Sequence, residues 1–326
     1  MRSSTSMTTF TDLLPADFDD VSLRDDVRAG LTAQPKSLPP RWFYDKIGSS
    51  LFDEITRLPE YYPTRIERGI LTRHAAEIIE AAGATVLVEL GSGSSEKTTL
   101  LLDALTPRTA RPRYVALDVS EDALRGAVEQ LRLRYPALAI DLIRADFTAH
   151  LGRLPAPGHR LVAFLGSTIG NFEPRPRARF LAELRGVLEP GEHLLLGTDL
   201  VKPRSVLVPA YDDDAGVTAA FNLNVLQVLN SRLRADFDLD AFRHVALWDE
   251  GNEWIEMRLR ATRAMAVCVA ELGLTVEFAE GEQMRTEISA KFRQDGVVAE
   301  LTAAGFAPAG WWTDPRHWFA LSLWLA

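Results

Sequence analysis

The sequence predicts an α/β fold, a mainly parallel sheet wrapped by helices, with a smaller α+β body set into it. Three observations carry that reading. Between residues 66 and 199, short apolar runs alternate with helical patterns. Most of those runs are continuously apolar, which suits strands covered on both faces. After Asp199 the rhythm breaks, and it resumes near Phe292.

Residues 1–65 read as a polar lead-in followed by short helices. Met1–Leu14 is rich in Ser and Thr and has no hydrophobic signal core. Arg24–Leu31 has helical spacing, and Pro35–Tyr44 holds three prolines followed by Trp42, Phe43 and Tyr44. Proline pushes the residue before it toward extended backbone. This stretch therefore predicts an aromatic arm packed on another segment, continued by Tyr61-Tyr62-Pro63. Helix Arg65–Ala82 precedes strand Thr85–Leu90, and a Gly/Ser turn leads to helix Lys97–Leu105. Strand Tyr114–Asp118, helix Glu121–Tyr135, strands Ile140–Asp146 and Leu161–Leu165, helix Arg177–Leu188 and strand His193–Asp199 follow. This order indicates right-handed βαβ units.

Beyond Asp199, Ala219–Leu233 is helical and residues 244–279 read as antiparallel strands. Within them Ile255, Met257 and Leu259 alternate with Glu256, Arg258 and Arg260, a period of two with one buried face. The block is too long for a loop and predicts a second domain. Val297–Ala304 is helical, and Ala309–Thr313 with Trp318–Leu325 form a terminal hairpin. The division expected is 1–65 as an arm, 66–199 as the main α/β part, 200–291 as an insertion and 292–326 as the closing part.

With 326 residues and 47% hydrophobic content, the chain fills one large or two ordinary domains. A formal charge of −9 offers no basic footprint for nucleic acid. The one cysteine, Cys268, excludes an internal disulfide and a cysteine zinc site; lying in the apolar run 264–270, it is expected in the core. No apolar stretch approaches a membrane span, so a cytoplasmic protein is expected. No His/Cys/carboxylate constellation argues for a metal, and Asp212–Asp214 reads as a solvated turn.

The clearest local signal is Leu90-Gly91-Ser92-Gly93-Ser94-Ser95-Glu96-Lys97-Thr98, between a strand and a helix. Small residues let a ligand approach the backbone, and the helix start offers free N–H groups. Three ligands compete for such a loop. A phosphate cradle fits from Gly91 to Thr98 except that Glu96 stands at the second glycine, where its charge repels phosphate. A dinucleotide fingerprint fails at the same residue. S-adenosylmethionine has no phosphate and tolerates Glu96. Its further needs are met in order. Asp118 ends a strand and can accept ribose hydroxyls. Asp146 can take the adenine amino proton while Phe147 packs on the ring. Gly166-Ser167 follows the next strand. Each residue also has a plain structural use: Asp118 and Asp146 as helix caps or turn residues, Lys97 as a solvated lysine.

Stretches that are not generic to such folds then carry a resemblance. They are Leu58-Pro59-Glu60-Tyr61-Tyr62-Pro63-Thr64-Arg65, Phe164-Leu165-Gly166-Ser167-Thr168-Ile169-Gly170-Asn171, Ala210-Tyr211-Asp212-Asp213 and Thr286-Glu287-Ile288-Ser289. The chain resembles the histidine-specific Nα-methyltransferases of actinobacterial ergothioneine biosynthesis. The resemblance implies a Rossmann-like class I S-adenosylmethionine-dependent domain and a substrate-binding domain made of the arm and the insertion, with the amino-acid site between them. It implies trimethylation of the L-histidine α-amine to hercynine, with S-adenosylhomocysteine released. The chain is expected to act as a monomer, with no nucleic-acid or membrane partner.

By resemblance Asn171 and Tyr211 hold the α-carboxylate, and Asn171 and Tyr61, the catalytic pair it implies, orient the α-amine. Glu287 and Ser289 meet the imidazole nitrogens, Met257 packs nearby, and Tyr44 and Phe52 line the amine end. Gly91, with Ser92 and Gly93, approaches the methionine part of the methyl donor, Lys97 its carboxylate, Asp118 the ribose and Asp146 the adenine. Gly93-Ser94-Ser95, Arg285 and Ala290 depart conservatively from the family pattern. Taken without the resemblance, Glu287 and Ser289 read as a surface turn, Met257 as core and Asn171 as a helix cap. A strong base is optional if the amine is already neutral, and Tyr61, ionising near pH 10, is a poor one.

Overall fold

The computed structural model describes residues 7–93, 95, 97–155 and 158–326. Along the chain run β1 (Thr8–Asp12), α1 (Phe18–Thr32), α2 (Lys46–Ile55), α3 (Pro63–Ala82), β2 (Val86–Leu90), α4 (Thr98–Leu105), β3 (Arg113–Asp118) and α5 (Glu121–Arg134). Then come β4 (Ala139–Arg144), β5 (Arg160–Phe164), α6 (Pro174–Gly186), β6 (His193–Asp199), α7 (Arg204–Leu207), α8 (Val217–Leu233), β7 (Phe242–Asp249) and β8 (Trp254–Ala261). The last are β9 (Met265–Val269), β10 (Leu274–Phe278), β11 (Gln283–Ala290), α9 (Gln294–Ala303), β12 (Ala307–Thr313) and β13 (Phe319–Leu325). Two compact units result. Unit 1 takes Met1–Leu14, Arg65–Leu200 and Phe292–Ala326; unit 2 takes Pro15–Thr64 and Val201–Lys291.

Unit 1 holds an eight-stranded sheet in the order β1-β4-β3-β2-β5-β6-β13-β12. Its strands are parallel up to β6, and β13 and β12 are antiparallel, which gives the expected terminal hairpin. From β2 the chain builds outward through β3 and β4, then returns to β5 on β2's other side. At that reversal the carboxyl ends of β2 and β5 open a crevice, the usual place for a ligand in such sheets. The core strands read as continuous apolar runs because both faces are covered; every residue of β5 and β6 is buried.

Two features depart from the sequence reading. The polar lead-in contains β1, which adds an edge strand parallel to β4. Its sequence, Thr-Thr-Phe-Thr-Asp, has no apolar run. It is held by the backbone ladder, by Thr9 Oγ1 donating to Asp141 at 2.5 Å and by the Arg125 guanidinium 4.4 Å from the Phe10 ring. Helix α6 starts at Pro174, three residues ahead of the expected Arg177, because proline is tolerated in a first turn.

In unit 2, α8 packs on the antiparallel sheet β11-β8-β7, and β9 and β10 form a separate ribbon. Met257, Ile255 and Leu259 are buried as the period of two requires. Glu256, on the opposite face of β8, is buried as well. It accepts from Trp254 Nε1 at 2.9 Å and Arg258 Nε at 2.7 Å, so its charge is not left bare. Cys268 is exposed, not in the core. On β9 Met265, Val267 and Val269 share the inner face, with the two valines buried, and Cys268 takes the other face.

Candidate functional site

The candidate residues fall into two sets, one in each unit. In unit 1, β2 runs into Gly91, whose φ of 67° is closed to most side chains. The Phe147 ring lies against the bare backbone there, 3.6 Å from where a Cβ would stand. Gly93 N–H donates to Asp118 Oδ2 at 3.0 Å and Ser120 N–H to Oδ1 at 2.9 Å. Asp118 thus ties the loop to the end of β3, and Ser120 is the residue that caps α5. Burial pushes the Asp118 carboxyl up, opposed by those backbone bonds. Among the described residues, Ser92 Oγ is buried without a partner. Ser94 and Glu96 of the loop lie outside the described residues.

Asp146 accepts from Thr148 N–H and hydroxyl at 2.8 and 2.6 Å, a turn just past β4. Gly166 and Ser167 follow β5. Ser167 is left-handed at φ 58°, and its hydroxyl accepts from Asp199 N–H at 2.9 Å, tying the end of β5 to the end of β6. Asn171 closes the single turn Thr168–Asn171. It does not cap α6, whose preceding residue is Glu173.

Lys97 is not a solvated lysine. Its ammonium pairs with Glu67 Oε2, and Glu67 Oε1 accepts from Gly166 N–H at 2.8 Å. Glu67, on α3, is fully buried and joins Lys97, just before α4, to Gly166, just past β5. Sequence reasoning missed it. Its signal was a carboxylate on the buried stripe of a helix, beside Ile66, Ile70 and Leu71. Glu89 of β2 is also buried. It accepts from Thr98 Oγ1 at 2.5 Å and Tyr114 Oη at 2.6 Å, and burial pushes its carboxyl up to about 7 against those bonds.

In unit 2 the expected aromatic residues meet edge to face. Tyr44 and Phe52 centroids are 5.5 Å apart, Phe52 and Tyr61 6.2 Å, Tyr61 and Tyr211 6.3 Å. Phe221 of α8, not anticipated, lies against Tyr44 and Phe52 at 5.5 and 5.9 Å. Glu287 and Ser289 sit on strand β11, not in a turn, and Met257 is the cross-strand partner of Glu287. A bulge between Arg285 and Glu287 sets this register. The bulged Thr286 donates to Asn222 Oδ1 at 2.7 Å, and Asn222 Nδ2 donates to His244 Nδ1 at 2.8 Å. His244 Nε2–H then donates to the Tyr211 carbonyl at 2.7 Å. Burial holds this ring below its ordinary value, so it is the neutral form that relays the register of β11 to Tyr211.

Tyr211 Oη and Ser289 Oγ are 2.8 Å apart. Glu287 is different: no described side chain hydrogen-bonds its carboxyl. Burial pushes it up to about 7, with the Lys291 ammonium opposing. Unit 2 therefore presents an acceptor and hydroxyl donors on one strand face, beside a row of aromatic rings. Among the described residues no helix is long and apolar enough to cross a membrane, and no group of three or more His, Cys, Asp and Glu could hold a metal.

The profile of a family described as histidine-specific methyltransferase, SAM-dependent, matches residues 23–326. The chain belongs to that family. Among members of the histidine-specific methyltransferases, the chain is 60% identical to a histidine N-alpha-methyltransferase of Mycolicibacterium smegmatis, covering 95% of this chain and 97% of that one. It is 54% identical to a histidine N-alpha-methyltransferase of Mycobacterium tuberculosis over the same shares. An ergothioneine biosynthesis protein 1 of Neurospora crassa is 34% identical over 60% of this chain and 23% of its own length. Within the histidine-specific methyltransferase fold seen here, Glu67 and Lys291 are the charged residues at the two candidate sets that motif reading passed over.

Proposed function

We propose that the chain transfers methyl groups from S-adenosylmethionine to the α-amine of L-histidine, three in succession, giving hercynine and S-adenosylhomocysteine as the first step of ergothioneine biosynthesis. Unit 1 would bind the methyl donor and unit 2 the amino acid. The observation that carries the substrate is the Glu287 carboxyl, on the face of β11 with Ser289 and, among the described residues, without a hydrogen-bonding side chain.

The loop of unit 1 suits a ligand without phosphates. Gly91 lets it reach the backbone, the buried Ser92 hydroxyl has a bond to give, and Asp118 and Asp146 supply acceptors at successive strand ends. The Lys97 charge is already matched by Glu67, so it is a poor phosphate anchor. S-adenosylmethionine supplies an electrophilic methyl group on a sulfonium. The chain's own task is to hold a neutral amine in line at about 3–3.5 Å. The neutral imidazole has one N–H and one bare nitrogen. The Glu287 carboxylate accepts the N–H, and the Ser289 hydroxyl donates to the other nitrogen. An apolar side chain in that place would leave the carboxylate unpaired, which penalises leucine or phenylalanine. Tyr44, Phe52 and Tyr61 offer ring faces to an amine that gains permanent charge as it is methylated.

Mass spectrometry of the purified chain incubated with S-adenosylmethionine and an equimolar pool of the twenty amino acids tests this reading. Histidine alone should gain up to three methyl groups. A different methylated amino acid moves the error to Met257, Glu287 and Ser289. Donor binding without any methylation makes the chain a binding protein.

A further inference from the structure

Glu287 and Ser289 are two residues apart on β11, and the same spacing continues to Lys291 just past the strand. The side chain of Lys291 is buried at 4% exposure, an uncommon setting for an ammonium group. Its Nζ lies 2.8 Å from Tyr211 Oη and 2.8 Å from Ser289 Oγ, and 4.6 Å from the centroid of the Tyr211 ring. The two hydroxyl oxygens are themselves 2.8 Å apart, so the three polar atoms form a closed triangle.

The direction of these bonds follows from chemistry. An ammonium group has three donors and no acceptor. Both hydroxyl oxygens must therefore accept from Lys291. An oxygen whose lone pair is taken this way keeps its own proton to give. A substrate acceptor can draw the proton off the shared Tyr211–Ser289 edge, so that both hydroxyls donate outward while Lys291 keeps hold of both oxygens. A neutral side chain at 291 would leave each hydroxyl free to point its lone pairs outward instead.

We propose that Lys291 is a positioning residue that makes the Tyr211 and Ser289 hydroxyls donors toward the amino-acid substrate, Ser289 to the bare imidazole nitrogen and Tyr211 to the α-carboxylate. This rests on the reading of Ser289 and Glu287 as the imidazole-facing pair. Lys291 acts through both hydroxyls without touching the substrate. It also places a fixed positive charge near Glu287, the acceptor for the imidazole N–H. The face of β11 thus carries the sequence acceptor, donor, anchor at positions 287, 289 and 291. A pocket so arranged favours the neutral imidazole and disfavours a cationic side chain such as that of lysine or arginine.

The test is a double-mutant cycle on the full chain, with affinity for L-histidine measured by calorimetry in saturating S-adenosylhomocysteine. Lys291→Met should weaken histidine at least tenfold and raise its KM more than it lowers kcat. Affinity for S-adenosylhomocysteine should stay within about twofold, which a general loss of structure would not allow. Ser289→Ala should weaken histidine too. The double variant should bind histidine no worse than about twofold below Lys291→Met, because the serine acts through the lysine. Lys291→Gln keeps two N–H donors, adds an acceptor and removes the charge; it should fold and lose at least threefold, and it is read in place of the Met variant if that one loses S-adenosylhomocysteine binding. Ser289→Ala weak with both Lys291 variants within twofold of the unchanged chain overturns the proposal alone, as do fully additive losses. Ser289→Ala without effect overturns the reading of Ser289, and the proposal with it.

Discussion

Glu287 carries the heaviest chemical demand of any single residue here. Its carboxyl is pushed up to about 7 by burial, so it gains or loses its charge across the neutral range. A carboxylate is needed to accept the imidazole N–H. The KM for histidine should therefore fall as pH rises through about 7, and Glu287→Gln should flatten that part of the profile. Glu287→Ala should lower kcat/KM for histidine about 10- to 100-fold, the cost of a lost charged hydrogen bond. Phe52 is the test of the aromatic row. Phe52→Leu keeps an apolar side chain but removes the π face, and affinity for Nα,Nα-dimethylhistidine should drop about two- to tenfold, against a smaller loss for histidine. At this scale the family resemblance singled out Glu287 and Ser289, and the structure places both on one strand, β11. The sequence was silent at Lys291 and Glu67, because a charged residue on a buried face looks like any other until its partners are known.

Among the elements, α3 does more than cover a sheet. It delivers Glu67 to Lys97 and to Gly166 N–H, so one carboxylate braces the turns after β2 and β5. The space for it is made on β6, where a Cβ at Gly197 would overlap Glu67 Oε1. Gly197→Ala should displace this carboxylate and cost about 1–3 kcal/mol of stability, with weaker binding of S-adenosylhomocysteine, read by denaturant titration and calorimetry. The strands of this sheet were legible as apolar runs bounded by turn residues. β1 was not, because an edge strand draws its stability from the backbone ladder and from pairs such as Thr9 with Asp141. β11 escaped notice for another reason. It is half polar, and its bulge breaks the alternation that marks a strand.

For the whole molecule, the raised carboxyls of Glu89, Asp118 and Glu287 contribute a pH dependence of folding. Glu89 has a folded value near 7 against an ordinary 4.5. Because the folded value is the higher one, its contribution is fully present below the unfolded value and is lost as pH rises through about 7. The buried His244 ring works the other way, so the test is the difference: Glu89→Gln, which keeps an acceptor for Tyr114 and Thr98, should shift the slope of melting temperature against pH upward between pH 5.5 and 8 relative to the unchanged chain.

The order of the chain has a consequence for how it is made. β6 is buried along its whole length, and its outer neighbour is β13. Between them in sequence lies all of Val201–Lys291. Every residue of unit 2 is therefore synthesised before β13, the strand that covers β6. Unit 2 is free to reach its native form while the first sheet still has a bare edge, and closing that sheet is a late, long-range step of the kind that slows folding.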